Sequence, residues 1–139
     1  MSLVNTGVLC GPLHTKAAVK QYLEGLEKIK QQGGKILVGG KSLEDKFPGG
    51  NYVAPTIVEI DPTASIVKHE LFAPVLYVMK FKTLEEAIQI NNNVPQGLSS
   101  SLFTKDLANL FKWIGPNGSD CGIINCNIGT SGAEIGGDI

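Results

Sequence analysis

The stretch Leu98-Ser99-Ser100-Ser101-Leu102-Phe103-Thr104-Lys105-Asp106-Leu107-Ala108-Asn109-Leu110-Phe111-Lys112-Trp113-Ile114-Gly115-Pro116 decides the fold class. Residues 98–103 read as an exposed, serine-rich strand whose small side chains let another backbone or a helix approach closely. Asp106 then caps a helix that carries Leu107, Leu110, Phe111 and Ile114 on one face. Gly115-Pro116 stops it. A last apolar strand follows over 122–125.

Working back toward the N-terminus, the same alternation continues. Gly11-Pro12 makes a turn, and Thr15 caps a helix with Val19, Tyr22, Leu23, Leu26 and Ile29 as its buried stripe. Lys28 and Lys30 complement its C-terminal dipole, and Gly33-Gly34 ends it. Residues 36–38 form a short strand, and 42–51 an exposed loop. Tyr52-Val53 and residues 56–60 are β-rich, with Pro55 marking an edge position or a bend. Residues 75–81 form a longer strand. Thr83 and Glu86 make a capping box for a helix that buries Leu84, Ala87 and Ile88 and stops before Asn92-Asn93. Helix and strand therefore alternate, which predicts an α/β fold with a mainly parallel sheet flanked by helices.

Composition bounds the function. The 139 residues are one small domain's worth, 42% hydrophobic and 18% charged, so the chain folds. Twelve Lys+Arg against thirteen Asp+Glu give a net charge of −1. Neither nucleic acid nor an anionic membrane is held without a basic excess. No run reaches the ~18 apolar residues of a membrane span, and no secretory leader is visible. The expectation is a cytoplasmic protein, with a mitochondrial form of the parent as the alternative. The 17 glycines gather toward the C-terminus.

Few residues offer chemistry on their own. His14 and His69 lack companions at metal-ligand spacing and read as a turn and a surface histidine. Cys10, Cys121 and Cys126 are too widely spaced for a zinc knuckle, and read as buried or semi-buried small apolar residues. No P-loop, GxSxG, HExxH or GxGxxG is present. Glu70 stands out in His69-Glu70-Leu71-Phe72-Ala73-Pro74, between two strands. A carboxylate beside an aromatic at strand ends can grip a sugar's vicinal hydroxyls while the ring covers a flat heterocycle. The plainer alternative is a solvated glutamate and a core phenylalanine. The tail 130–137 is either an anion-binding nest of backbone N–H groups or a frayed end.

Taken together, these segments resemble the aldehyde dehydrogenase superfamily. The resemblance runs in order through Gly11-Pro12-Leu13-His14-Thr15, Gly33-Gly34-Lys35, Asn51-Tyr52-Val53-Ala54-Pro55-Thr56-Ile57, Glu70-Leu71-Phe72-Ala73-Pro74-Val75, Gln96-Gly97-Leu98-Ser99-Ser100-Ser101 and Ser119-Asp120-Cys121-Gly122-Ile123. Residues 103–107 and Thr130-Ser131-Gly132-Ala133-Glu134-Ile135-Gly136-Gly137 are similar to its antiquitin branch.

The resemblance implies NAD-dependent oxidation of an aldehyde to an acid. It assigns Glu70 to the nicotinamide ribose hydroxyls and Phe72 to the nicotinamide ring, and Ser131, Gly132 and Ala133 to the substrate's distal carboxylate. It implies that residues 11–139 are part of a catalytic domain behind an extension or expression scar at 1–10. A whole member is roughly three times this length or more. Its NAD-binding domain, nucleophilic cysteine, general base and oxyanion asparagine have no counterpart here. The isolated chain is therefore expected to be inactive, to bind NAD weakly or not at all, and to self-associate. The alternative is a non-catalytic interaction module that keeps the fold. Two departures stand out. Gly129 replaces a usual proline, which loosens the loop. Asp138-Ile139 replaces a small residue and an aromatic, and Asp138 repels a carboxylate; it marks either a foreign tail or compromised substrate binding.

Overall fold

Each α-helix begins where a hydroxyl or carboxylate takes up a free backbone N–H. In the computed structural model, which describes residues 10–131, Thr15 Oγ1 accepts from the Ala18 N–H at 3.1 Å and opens α1 (Lys16–Gln31). The chain divides into two compact units, the first ending at Lys80 and the second beginning at Phe81.

In the first unit, β1 (Lys35–Val38), β2 (Thr56–Glu59) and β3 (Val75–Val78) form a three-stranded sheet in that order. β2 and β3 are parallel, as expected, but β1 runs antiparallel to β2. The short β1 follows α1 directly, and a chain reversal through residues 39–55 brings β2 beside it without a helical crossover. Ile36 and Tyr77 flank Val58 in the register, so these three share one face. That face joins Tyr22, Leu26 and Ile29 of α1 in a core with Val53, Ile60 and Ile66. Val58 is fully buried, whereas Leu76 on the opposite face is 59% exposed. Pro55 marks a bend rather than an edge: it precedes β2, the middle strand, and pairing starts with the Thr56 N–H donating to the Pro74 carbonyl at 2.8 Å. Tyr52-Val53 contributes one isolated bridge, Val53 to Ser42. The Tyr22 hydroxyl lies 2.7 Å from Thr56 Oγ1 and 3.0 Å from the Ala54 carbonyl, tying α1 to the start of β2.

The second unit holds α2 (Leu84–Asn92), β4 (Ser99–Leu102), α3 (Leu107–Ile114) and β5 (Ile123–Cys126), with β4 and β5 parallel. Thr83 caps α2 through the Glu86 N–H, and Asp106 caps α3 through the Ala108 N–H. The Glu86 carboxylate accepts from the Lys82 N–H, so the box is displaced by one residue.

Several burial expectations fail. On α1, Leu23 is exposed and Val19 half-buried, because the core takes a narrower stripe. On α2 only Ile88 is buried, and Leu84 and Ala87 are half-buried. The apolar face expected on α3 carried no burial expectation: Leu107, Phe111 and Ile114 are exposed there, and the buried residue is Trp113. The strand expected over 75–81 ends at Val78. The serine strand is not uniformly exposed, since Ser100 turns inward to meet Ser119 Oγ at 2.7 Å. Cys10 is exposed, while Cys121 and Cys126 are half-buried. Among the described residues, no helix is long and apolar enough to cross a membrane, and no group of three His, Cys, Asp or Glu side chains is placed to hold a metal.

Candidate cofactor and substrate site

The turn between the 3-10 helix Ser65–Lys68 and β3 is fixed at both ends. Upstream, Gln32 at the end of α1 accepts from the Ile66 N–H at 2.9 Å. Downstream, the Val75 N–H donates to the Ala73 carbonyl at 2.7 Å, closing a tight turn around Pro74. Between these ends Leu71 packs against the core of the first unit. Its neighbours Glu70 and Phe72 are thereby turned to the solvent side, and both are exposed.

Phe72 is 74% exposed and has φ of +48°. A bulky residue in the left-handed region costs roughly 1–3 kcal/mol and persists only when its surroundings impose it. The core reading of Phe72 is thus wrong, and a strained, solvent-facing ring takes its place. Glu70 lines a cavity of about 420 Å³ with Gln21, Glu24 and Lys28 of α1, together with Gln32 and His69. His14 and His69 are both exposed, as expected of turn and surface histidines. The chemistry of the turn suits a polyhydroxylated ring joined to a flat heterocycle: an exposed carboxylate to accept from hydroxyls and, two residues on, an exposed aromatic ring.

Ser131 belongs to the second unit and is exposed; Gly132, Ala133 and the departures Asp138-Ile139 lie outside the described residues. The approach to Ser131 is anchored. Asn127 takes φ of +57°, which asparagine tolerates. Its side chain accepts from the Thr104 N–H at 2.8 Å and donates to the Thr104 carbonyl at 2.9 Å. Ser101 Oγ donates to the Ile128 carbonyl, and Asn125 Nδ2 to the Gly129 carbonyl at 3.0 Å. Gly129, where looseness was expected, is thus tied by a side chain instead of by a ring.

A second network went unread in the sequence. Asn91 Nδ2 donates to Ser119 Oγ at 3.1 Å, and Asn92 Nδ2 donates to the Gly118 carbonyl at 2.9 Å. Together with Ser100 these residues join the end of α2 to the loop before β5. The only available signal was the pair Asn91-Asn92 at a helix end, which reads equally well as a plain stop.

The aldehyde dehydrogenase family model matches residues 3–137. The chain belongs to the aldehyde dehydrogenase family. It is 65% identical over 131 residues to aldehyde dehydrogenase family 7 member A1 of Pisum sativum, covering 94% of this chain and 25% of that protein. It is 57% identical to the α-aminoadipic semialdehyde dehydrogenase of Bos taurus, over 96% of this chain and 24% of that one. Among solved structures, 1-pyrroline-5-carboxylate dehydrogenase from Thermus, with bound NAD, superposes with a TM-score of 0.79 at 30% identity, covering 88% of this chain and 23% of its own. The chain thus spans about a quarter of the length of the relatives it matches.

Proposed function

We propose that this chain is a segment of an NAD-dependent aldehyde dehydrogenase that oxidises α-aminoadipic semialdehyde or a close analogue, in the cytoplasm, in lysine breakdown. The observation that carries the reading is the turn 69–74, where Glu70 and a strained Phe72, on either side of Leu71, are both exposed. In this reading the Glu70 carboxylate accepts from the vicinal hydroxyls of the nicotinamide ribose. Phe72 covers one face of the nicotinamide and keeps water from it. Bound there, NAD supplies the acceptor for the aldehyde's hydride. Ser131, with Gly132 and Ala133, holds the substrate's distal carboxylate through its hydroxyl and backbone N–H groups. The chain's own residues bind and orient; none of its described side chains is proposed as the nucleophile or the base.

The 139 residues alone are then expected to form no NADH from an aldehyde and to give no calorimetric NAD signal. Grafted into the Pisum sativum relative in place of its matching quarter, the same residues are expected to support NAD-dependent oxidation. In that graft Glu70→Gln or Phe72→Ala should raise the KM for NAD about tenfold or more, the loss of roughly one charge-assisted hydrogen bond in the first and of one aromatic contact in the second. A graft that stays folded but dead, or two variants that leave the NAD dependence untouched, would overturn the reading.

Self-association of the isolated chain is part of the same proposal. The α3 side chains Leu107, Phe111 and Ile114 are exposed, and β5 has β4 as its only partner among the described residues. An apolar patch and an open strand edge both favour pairing with a second copy.

A further inference from the structure

Gly25 sits in the interior of α1, where glycine is a poor helix former, and it is buried. A Cβ at this position would stand 2.8 Å from Cδ2 and 2.9 Å from Cδ1 of Leu71. Real Cβ atoms do not approach so closely, so the missing methyl is the space into which Leu71 fits. Leu71 is the residue between Glu70 and Phe72, and it also packs against the core around Tyr22 and Leu26. Because the crowded atoms are the end of the Leu71 side chain, it is Leu71 that a methyl added at 25 would displace. The same stretch of α1, with Gln21, Glu24 and Lys28, walls the cavity that Glu70 borders.

We propose that Gly25 is a positioning residue for the cofactor end of the site: its missing side chain seats Leu71, and seated Leu71 holds Glu70 outward and Phe72 in its left-handed conformation. Gly25 touches neither cofactor nor substrate and acts through Leu71. This rests on the assignment of Glu70 and Phe72 made above. Alanine at 25 improves the helix locally while crowding Leu71, so fold stability and cofactor binding should move apart. A merely structural glycine would move them together.

The test uses the full-length graft described above, with Glu70→Gln and Phe72→Ala as references. Gly25→Ala should raise the KM for NAD about three- to tenfold while the KM for the aldehyde stays within about twofold. In the Gly25→Ala background, Leu71→Val shortens the crowded side chain and should bring the KM for NAD at least halfway back. Leu71→Ala alone, which unseats the turn without touching α1, should reproduce the selective rise; it decides the matter if Gly25→Ala does not fold. The proposal is overturned if Gly25→Ala folds and leaves the KM for NAD unchanged, if both KM values rise together, or if Leu71→Val gives no recovery. If the Glu70 and Phe72 variants are themselves silent, the reading of the site fails instead. If those two respond and the Gly25 variant does not, only the positioning role fails.

Discussion

The two units of this chain solve the same problem by different means. The first lays α1 over one face of a sheet and buries seven apolar side chains in a single cluster, from Tyr22 to Ile66. Among the described residues, the second buries only Ile88 and Trp113 of its large apolar side chains and ties its loops with Asn91, Asn92, Ser100 and Ser119. Among the described residues each unit also leaves a buried polar atom without a partner, the Tyr77 hydroxyl in the first and the Trp113 indole N–H in the second. Hydrophobic burial is non-directional, so it can anchor a turn such as 69–74 from beneath. Hydrogen bonds hold specific atoms at specific distances, which suits the approach to Ser131. The two units thus carry the two candidate half-sites on different scaffolding.

The largest expected effect separates them. Leu26 is 2% exposed, so Leu26→Ala leaves a cavity and should destabilise the first unit by about 2–5 kcal/mol. Phe111 is 63% exposed, and Phe111→Ala should change stability by no more than about 0.5 kcal/mol. Urea titration of both variants, followed by circular dichroism and by the single tryptophan, measures the two values. Equal losses would erase the distinction between a packed helix and an uncovered one.

The next effect probes the polar side of each unit. Tyr22→Phe strips a fully buried hydroxyl from Thr56 Oγ1 and the Ala54 carbonyl. Ser119→Ala strips one from Ser100 and Asn91. Ser119→Ala leaves the buried Ser100 hydroxyl unmatched and should cost about 1–3 kcal/mol, whereas after Tyr22→Phe the Thr56 hydroxyl keeps the Gly40 N–H and the Ala54 carbonyl, so the loss should be nearer about 1 kcal/mol. If the second unit depends more on such bonds, Ser119→Ala will be its worst single-residue truncation, exceeding Phe111→Ala severalfold. A neutral Ser119→Ala would mean that the second unit is held by something other than its hydrogen bonds.

Smaller again is the effect on association. Phe111→Lys places a charge on the exposed face of α3 and should weaken self-association of the isolated chain about tenfold, roughly 1.4 kcal/mol. Leu76→Lys does the same on the open sheet face of the first unit. Sedimentation of both variants shows which face carries the pairing. A parent chain that is already monomeric at high concentration removes the association altogether.

What could be read from the residues follows the range of the forces involved. Thr15, Thr83 and Asp106 were legible as caps because a cap spans only two or three residues. The parallel sense of β4 and β5 fits the mainly parallel sheet expected where a helix separates two strands, although their pairing with each other was not read. The reversal of β1 was not: nothing in residues 35–38 states which partner, 20 positions on, they will meet. On α3 periodicity located the apolar face without saying whether anything covers it. Glu70 and Phe72 were found as a motif, but the φ of Phe72 and the seat that Gly25 offers Leu71 depend on contacts about 46 residues apart along the chain, beyond any local pattern.

The smallest effect is one in which the units should agree. Each carries an exposed ion pair, Glu59 with Lys80 at 2.6 Å in the first and Glu85 with Lys112 in the second. Hydrogen bonding and attraction to the lysine hold each carboxyl below its ordinary value of 4.5, and Glu59 in turn raises Lys80 above 10.5. A lowered carboxyl value stabilises the fold above the unfolded value, and that contribution is lost as pH falls through the folded one. The raised lysine value describes the other limb: its share is present below 10.5 and lost as pH rises through the folded value. Both pairs are solvent-exposed, so screening keeps the contribution small. Glu59→Gln and Glu85→Gln should therefore each lower the urea midpoint slightly at neutral pH and low salt, by similar amounts. The difference from the parent chain should vanish once the solution is acidified well below 4.5 and should shrink in high salt. A difference that survives acid would show that the carboxylate charge is not its source. A much larger loss for Glu85 than for Glu59 would show that the second unit relies on its ion pair as well as on its buried amides and hydroxyls, which would sharpen the contrast with the first unit's apolar core.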